Sequence, residues 1–300
     1  MNTQEELSVQ ILQGATSEAE THVFIKVDSS IRAEDVSVEG PFSQRAETLS
    51  SKFQFVDVPQ NSGSNLKLLK TEIIDPLFWT TRNPALYRCS IQAESLKPPF
   101  ICEFGIRDLH TKGRDLIAED RRWVLRAGVA DASTAVESIE PWRNESMAML
   151  VSNPSDELCL QATLQGLFLI VEMTSYEGDF QNELERLVKY SAVAAVLLLP
   201  SVEFKESPGQ FAPHLLLGCL LRPGESAEPA DIPKWAKFVV HELFGDELDI
   251  QPSLDVPEMI WQNYDEPAFS DPRLARAACD ELQREIKGTG EFAGIWVGHE

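Results

Sequence analysis

The stretch from Phe104 to Gly128, FGIRDLHTKGRDLIAEDRRWVLRAG, limits what this chain can fold into, because the hydrophobic patterning changes across it. Before it, apolar and polar residues alternate in short runs at 7–12, 22–27, 36–38, 52–58, 66–74, 86–93 and 100–106. Runs of that size and spacing predict about seven strands, the makings of a two-sheet sandwich. After it, apolar runs recur at 123–128, 147–151, 167–172, 194–199, 215–221, 238–241, 258–261 and 293–297. Helical spacing separates some of them, at 156–165, 180–190 and 271–287, the last with Pro272 in its first turn. Strands alternating with helices predict an α/β barrel. The stretch itself is polar and hairpin-like, with turn chemistry in Lys112-Gly113-Arg114. It reads as a structured junction that divides the chain into 1–107 and 108–300.

The barrel half is short. Residues 115–300 fall below the roughly 250 of an ordinary barrel. Pro and Gly interrupt the connections at Lys205-Glu206-Ser207-Pro208-Gly209 and Arg222-Pro223-Gly224, so full helices are not expected after the fourth, fifth and sixth strands. Loops at the C-terminal ends of barrel strands build the site in this architecture. Trimmed loops therefore predict a shallow or rearranged pocket.

Composition excludes several functions. The 48 acidic residues outweigh 26 basic ones, for a net charge of −22. Such a surface repels phosphate backbones and anionic lipid, so neither nucleic acid nor membrane is an expected partner. No apolar run approaches a membrane span, the longest being 192–200. Cys89, Cys102, Cys159, Cys219 and Cys279 are odd in number, scattered, and placed in apolar segments. They read as free thiols, and with no basic n-region at the start the expected location is the cytoplasm. His22, His110, His214, His241 and His299 stand apart without a metal-ligand set, and no phosphate-binding glycine loop or GxSxG is present. No metal and no cofactor is expected.

The junction also carries a resemblance. Phe104-Gly105-Ile106-Arg107 and Leu125-Arg126-Ala127-Gly128 resemble the FG(I/F)R and LRG that bracket the seam between sandwich and barrel in glycoside hydrolase family 2, the β-galactosidase, β-glucuronidase and β-mannosidase group. Residues 78–87, FWTTRNPALY, resemble that family's "LWSPENPxLY", and residues 153–172 resemble its "YPxDxxFLDLCDELGLxVxxE". The resemblance implies an immunoglobulin-like β-sandwich followed by a contracted TIM-type (β/α)8 barrel. It also implies a jelly-roll ahead of the sandwich, for which residues 1–107 leave no room. Trp79 and Tyr87, around Asn83-Pro84, read as plugs of the sandwich end by the size of aromatic burial.

Retaining glycosidases need two carboxyl groups about 5 Å apart. In family 2 both are glutamates, after barrel strand 4 and at the end of strand 7. Laying "HPSVVMWSLGNE" on residues 192–203 puts Glu203 at the acid/base, with Val202 replacing the preceding Asn. Laying "PxxxSEYG" on residues 257–264 puts Gln262 at the nucleophile, and an amide can form no glycosyl ester. Asp265 and Glu266 are the substitutes if the register slips, while Glu258 sits at the start of the strand. On strand 2, Met149 and Ser152 take the places of a substrate-contacting Arg and His. Glu172 matches the acid that ends strand 3 and Trp296 matches a platform Trp on strand 8. Ser152, Glu172, Asn263 and Trp296 are thus the substrate-binding candidates, with an ion pair for Glu172 and barrel filling for Trp296 as the structural alternatives. Replacement of the chemistry on a recognisable scaffold predicts a glycosidase-like protein without hydrolytic activity, whose pocket takes a carbohydrate or a protein partner. The rival is a retaining O-glycosidase using Glu203 with Asp265 or Glu266. A structural or assembly module is the third reading.

Overall fold

The computed structural model describes residues 9–59, 66–93, 96, 98–130, 134–225, 228–245, 251–264, 271–288 and 290–299. It divides into two compact units, one of residues 1–107 with 182–191 and 209–214, the other of 108–181, 192–208 and 215–300.

The first unit is a sandwich of two antiparallel four-stranded sheets. One has the order β1-β2-β6-β5, from Gln10–Thr16, Glu20–Asp28, Leu66–Ile74 and Val56–Asp57. The other has the order β4-β3-β7-β8, from Ser51–Gln54, Val36–Phe42, Leu86–Ile91 and Phe100–Phe104. Inward residues of both meet in one core that includes Val23, Ile25, Val38, Leu69, Cys89 and Ile91. Trp79 and Tyr87 are buried as plugs, and a Cβ at Gly105 would lie 2.5 Å from Trp79, which explains the glycine of the junction. Arg107 is 4% exposed and its guanidinium donates to the carbonyls of Ser191 and His214, each at 2.9 Å. Burial lowers the Arg107 pKa to about 10. Burial first, and then that cation, push His214 down to about 3. No disulfide joins the five cysteines, and Cys89 and Cys102 lie directly opposite across β7 and β8.

The second unit opens with a three-stranded meander, β9 (Leu109–Lys112), β10 (Asp115–Ala118) and β11 (Arg121–Arg122). Gly113, at φ 58°, turns β9 into β10. Eight parallel strands then close into a barrel: β12 (Leu125–Val129), β13 (Ala148–Ser152), β14 (Leu169–Glu172), β15 (Val193–Leu198), β16 (Leu216–Leu221), β17 (Phe238–Phe244), β18 (Glu258–Tyr264) and β19 (Gly294–His299). Central strands such as Val193–Leu198 are buried at every position, as a parallel sheet covered on both faces requires. Helix α1 (Ile139–Asn144) follows β12 and α2 (Asp156–Gln165) follows β13. Ser155 caps α2 by accepting from the Leu158 amide, and Gly166 ends it in the left-handed region at φ 80°. Helix α3 (Phe180–Leu187), most of which counts with the first unit, follows β14 in sequence, and α4 (Pro272–Glu285) starts from an Asp271 cap. Between β15 and β18 the described residues hold no α-helix, only a 3-10 turn at Pro208–Gln210. No helix of the described residues is long and apolar enough to cross a membrane.

Alternation along the strands sorts the barrel residues into two faces. Phe238 and Trp296 meet inside at 6.3 Å between ring centroids. Cys219, Leu221 and Val239 lie outside, in a cluster with Trp235 and Leu254. A Cβ at Gly218 would lie 2.2 Å from the Phe238 ring, so the glycine makes room for it. Gly218→Ala is expected to cost about 2 kcal/mol by overpacking, read from urea unfolding of the variant against the parent.

Candidate functional site

The site lies at the C-terminal mouth of the barrel, where inward positions of the strands become polar. Ser152 ends β13 and donates from Oγ to Glu172 Oε2 at 2.6 Å, across the Ser152–Glu172 register pair. The Thr174 hydroxyl donates to the other oxygen of the same carboxylate. Glu172 is thus held by two hydroxyls. On β17 the inward series Phe238, Val240 leads to Glu242, whose side chain is 12% exposed. Asn263 Nδ2 donates to Glu242 Oε1 at 2.9 Å, and Arg222 Nε stands 4.0 Å from Oε2. Burial raises the Glu242 pKa from its ordinary value. Arg222 and the Asn263 hydrogen bond oppose that shift, while the charges of Glu172 and Glu225 reinforce it.

The seventh strand departs from the sequence reading. Gln262 is 2% exposed and turned away from the mouth, donating to the carbonyls of Gly245 at 2.9 Å and Asn263 at 3.1 Å. It shares its face with Tyr264, whose hydroxyl pKa is raised by burial and by the nearby Glu285, Cys279 and Glu281 of α4. Asn263 and Trp261 occupy the inward face. A Cβ at Gly298 on β19 would lie 2.7 Å from Trp261 Nε1 and 2.8 Å from Asn263 Oδ1. The correction is one residue of register, enough to exchange the two faces of a strand.

Glu203 is exposed and makes no hydrogen bond or ion pair among the described residues. Its neighbours are fixed to Trp235: the Val202 carbonyl accepts from Trp235 Nε1 at 2.9 Å, and Phe204 meets the indole edge-on at 6.0 Å. Trp296 is completely buried against Phe238, so its ring offers no face to a sugar. Asp265 and Glu266 lie outside the described residues. Glu258 belongs to the opposite rim, at the start of β18. Its Oε1 accepts from the amides of Ser253 at 2.6 Å and Leu254 at 2.7 Å, and its Oε2 lies 2.8 Å from His241 Nε2.

The mouth therefore assembles Ser152, Glu172 and Asn263 of the expected residues and adds Thr174, Arg222 and Glu242. Glu242 is missed when the strand is ended at His241; the signal that finds it is the alternating series Phe238, Val240, Glu242, which runs on to Phe244. Among the described residues, Trp261 Nε1 and Asn263 Oδ1 are buried without a hydrogen-bond partner, and Trp296 Nε1 likewise deeper in the barrel. Also among the described residues, Glu20, His22 and Glu72 bring ligand atoms within 4.8 Å on the sheet of the first unit, with both glutamates exposed. No metal chemistry follows from that surface group.

No protein-family model and no curated protein sequence matches the chain. Solved structures do. β-Glucuronidase from Parabacteroides merdae superposes with a TM-score of 0.63 at 11% identity, over 98% of this chain and 47% of that one. A Bacteroides uniformis β-glucuronidase gives 0.64 at 11% identity, over 96% and 45%. The Bifidobacterium dentium enzyme, solved with coumarin-3-O-glucuronide, gives 0.64 at 10% identity, over 96% and 60%. The fold is that of bacterial β-glucuronidases. At such identities the likeness concerns the glucuronidase-type fold alone, and the chain spans about half the length of the first of these structures.

Proposed function

We propose that this chain is a relative of the family 2 glycoside hydrolases whose barrel binds carbohydrate without cleaving it. The observation that carries the reading is the exit of the seventh barrel strand, where the inward side chain is the amide of Asn263 and Gln262 faces away. Retaining cleavage needs a nucleophilic carboxylate beside a general acid. After the fourth strand, Glu203 is exposed and makes no contact with Glu242 or Glu172 among the described residues, which favours the same reading. The hydroxyls, carboxylates, amide and guanidinium that remain at the mouth are the groups that fix sugar hydroxyls.

A second reading draws on one observation, the half-buried Glu242 at the mouth, which accepts from Asn263 and whose pKa burial raises. A partly buried carboxyl is the kind of group that serves as a general acid, and Glu172 stands three strands away round the ring as the second carboxylate. A panel of aryl glycosides separates the readings. No turnover above the buffer rate is expected with any of them, and Glu203→Gln is expected to change nothing. Turnover abolished by Glu242→Gln would establish the second reading. Turnover abolished by Glu203→Gln would restore that residue as acid/base and overturn the first.

A further inference from the structure

The sugar-binding reading can be taken a step further, on which it does not itself depend. Glu242 stands in an electrostatic setting that a neutral ligand leaves unbalanced. Its Oε1 accepts from Asn263, but among the described residues no donor reaches Oε2 within hydrogen-bond distance. Arg222, at 4.0 Å and 54% exposed, is at the limit of an ion pair and screened by water. Glu172 and Glu225 add negative charge around it, and Glu225 is already engaged by the Arg222 amide at 2.8 Å. Among the described residues the surplus at this mouth is negative.

Two further groups point to a polar ligand rather than to a merely acidic surface. Asn263 and Trp261 are each 6% exposed and belong to the inward face of β18. Asn263 Oδ1 is an acceptor without a donor, and Trp261 Nε1 a donor without an acceptor, among the described residues. Buried polar atoms are costly to leave so, and a hydroxylated ligand or its bound water completes them. The ligand that suits both features carries hydroxyls and a cation. An ammonium brings hydrogen-bond donors and no acceptor, complementary to two carboxylates.

We propose that the barrel mouth recognises an amino sugar, its ammonium group held by Glu242 and Glu172. This inference rests on the carbohydrate-binding reading. A uronate, by contrast, brings a third carboxylate into the same field and is disfavoured.

Titration calorimetry on the full chain, with methyl β-glucosaminide, its N-acetylated counterpart and methyl β-glucuronide, tests it at neutral pH. The amine is expected to bind about tenfold more tightly than the N-acetyl form, with the glucuronide weakest. Glu242→Gln, which keeps an oxygen for Asn263, is expected to lose about tenfold for the amine, while Glu203→Gln changes nothing. Should Glu242→Gln fail to fold, Glu172→Gln is the variant that decides, with a loss in the same direction. Equal binding of the amine and the N-acetyl form, or a preference for the glucuronide, overturns the amino-sugar inference and leaves carbohydrate binding standing. Absence of binding by all three overturns both.

Discussion

Trp296→Ala is expected to destabilise the barrel by about 4 kcal/mol, within the range of large-to-small substitutions of buried aromatic residues. The side chain is fully buried, packs edge-to-face on Phe238, and stands in register with Trp261 on one side and Ala127 on the other. Alanine at that point leaves a void bounded by strands that cannot collapse without breaking the closed ladder. Trp296→Phe is the informative companion. It keeps most of the ring and removes Nε1, a buried donor with no partner among the described residues, so its cost is expected to be about 1 kcal/mol. Urea unfolding of the two variants measures both. A Trp296→Ala protein of parental stability that had lost sugar affinity would instead make this residue a stacking platform.

The core layer around Trp296 also explains what could be read from the sequence and what could not. Runs such as VAAVLL and LLGCLL are apolar throughout because parallel strands are covered on both faces, and they marked their strands to within a residue or two. Helix α2 was legible to its ends, since Ser155 and Gly166 supply its caps locally. Pro-Gly breaks at 208–209 and 223–224 announced that the described residues after β15 and β16 hold no α-helix. The mouth was another matter. Its residues are chosen by which face each strand turns inward, and that choice is set by long-range pairing of Trp261 with Trp296 and Glu242, not by anything near Gln262. A one-residue shift then exchanged an inward Asn263 for a buried, outward Gln262. Strand β17 misled for a related reason. His241 interrupts the apolar run, so the strand looked finished there, yet its imidazole points outward to a carboxylate seventeen residues on. Glu242, the next inward residue, was hidden behind it.

That carboxylate is where the last large effect is expected. Glu258→Ala should lower stability by about 4 kcal/mol, since it removes the shared acceptor of a buried hydrogen-bond network. Glu258 is 2% exposed at the side chain and serves three donors at once, the amides of Ser253 and Leu254 and the ring of His241. Alanine strands all three: the buried Leu254 amide loses its acceptor, and the imidazole, 8% exposed, loses its counterpart. Glu258→Gln retains one acceptor oxygen and is expected to fall between the parent and the alanine variant. Since the residue opens β18 at the N-terminal rim, where barrels keep their stabilising rather than their functional residues, sugar affinity below the unfolding transition should be the same in all three proteins. Calorimetric titration beside urea unfolding reads the two quantities separately. Parental stability with altered sugar binding in Glu258→Ala would place this glutamate, and not Glu242, at the ligand.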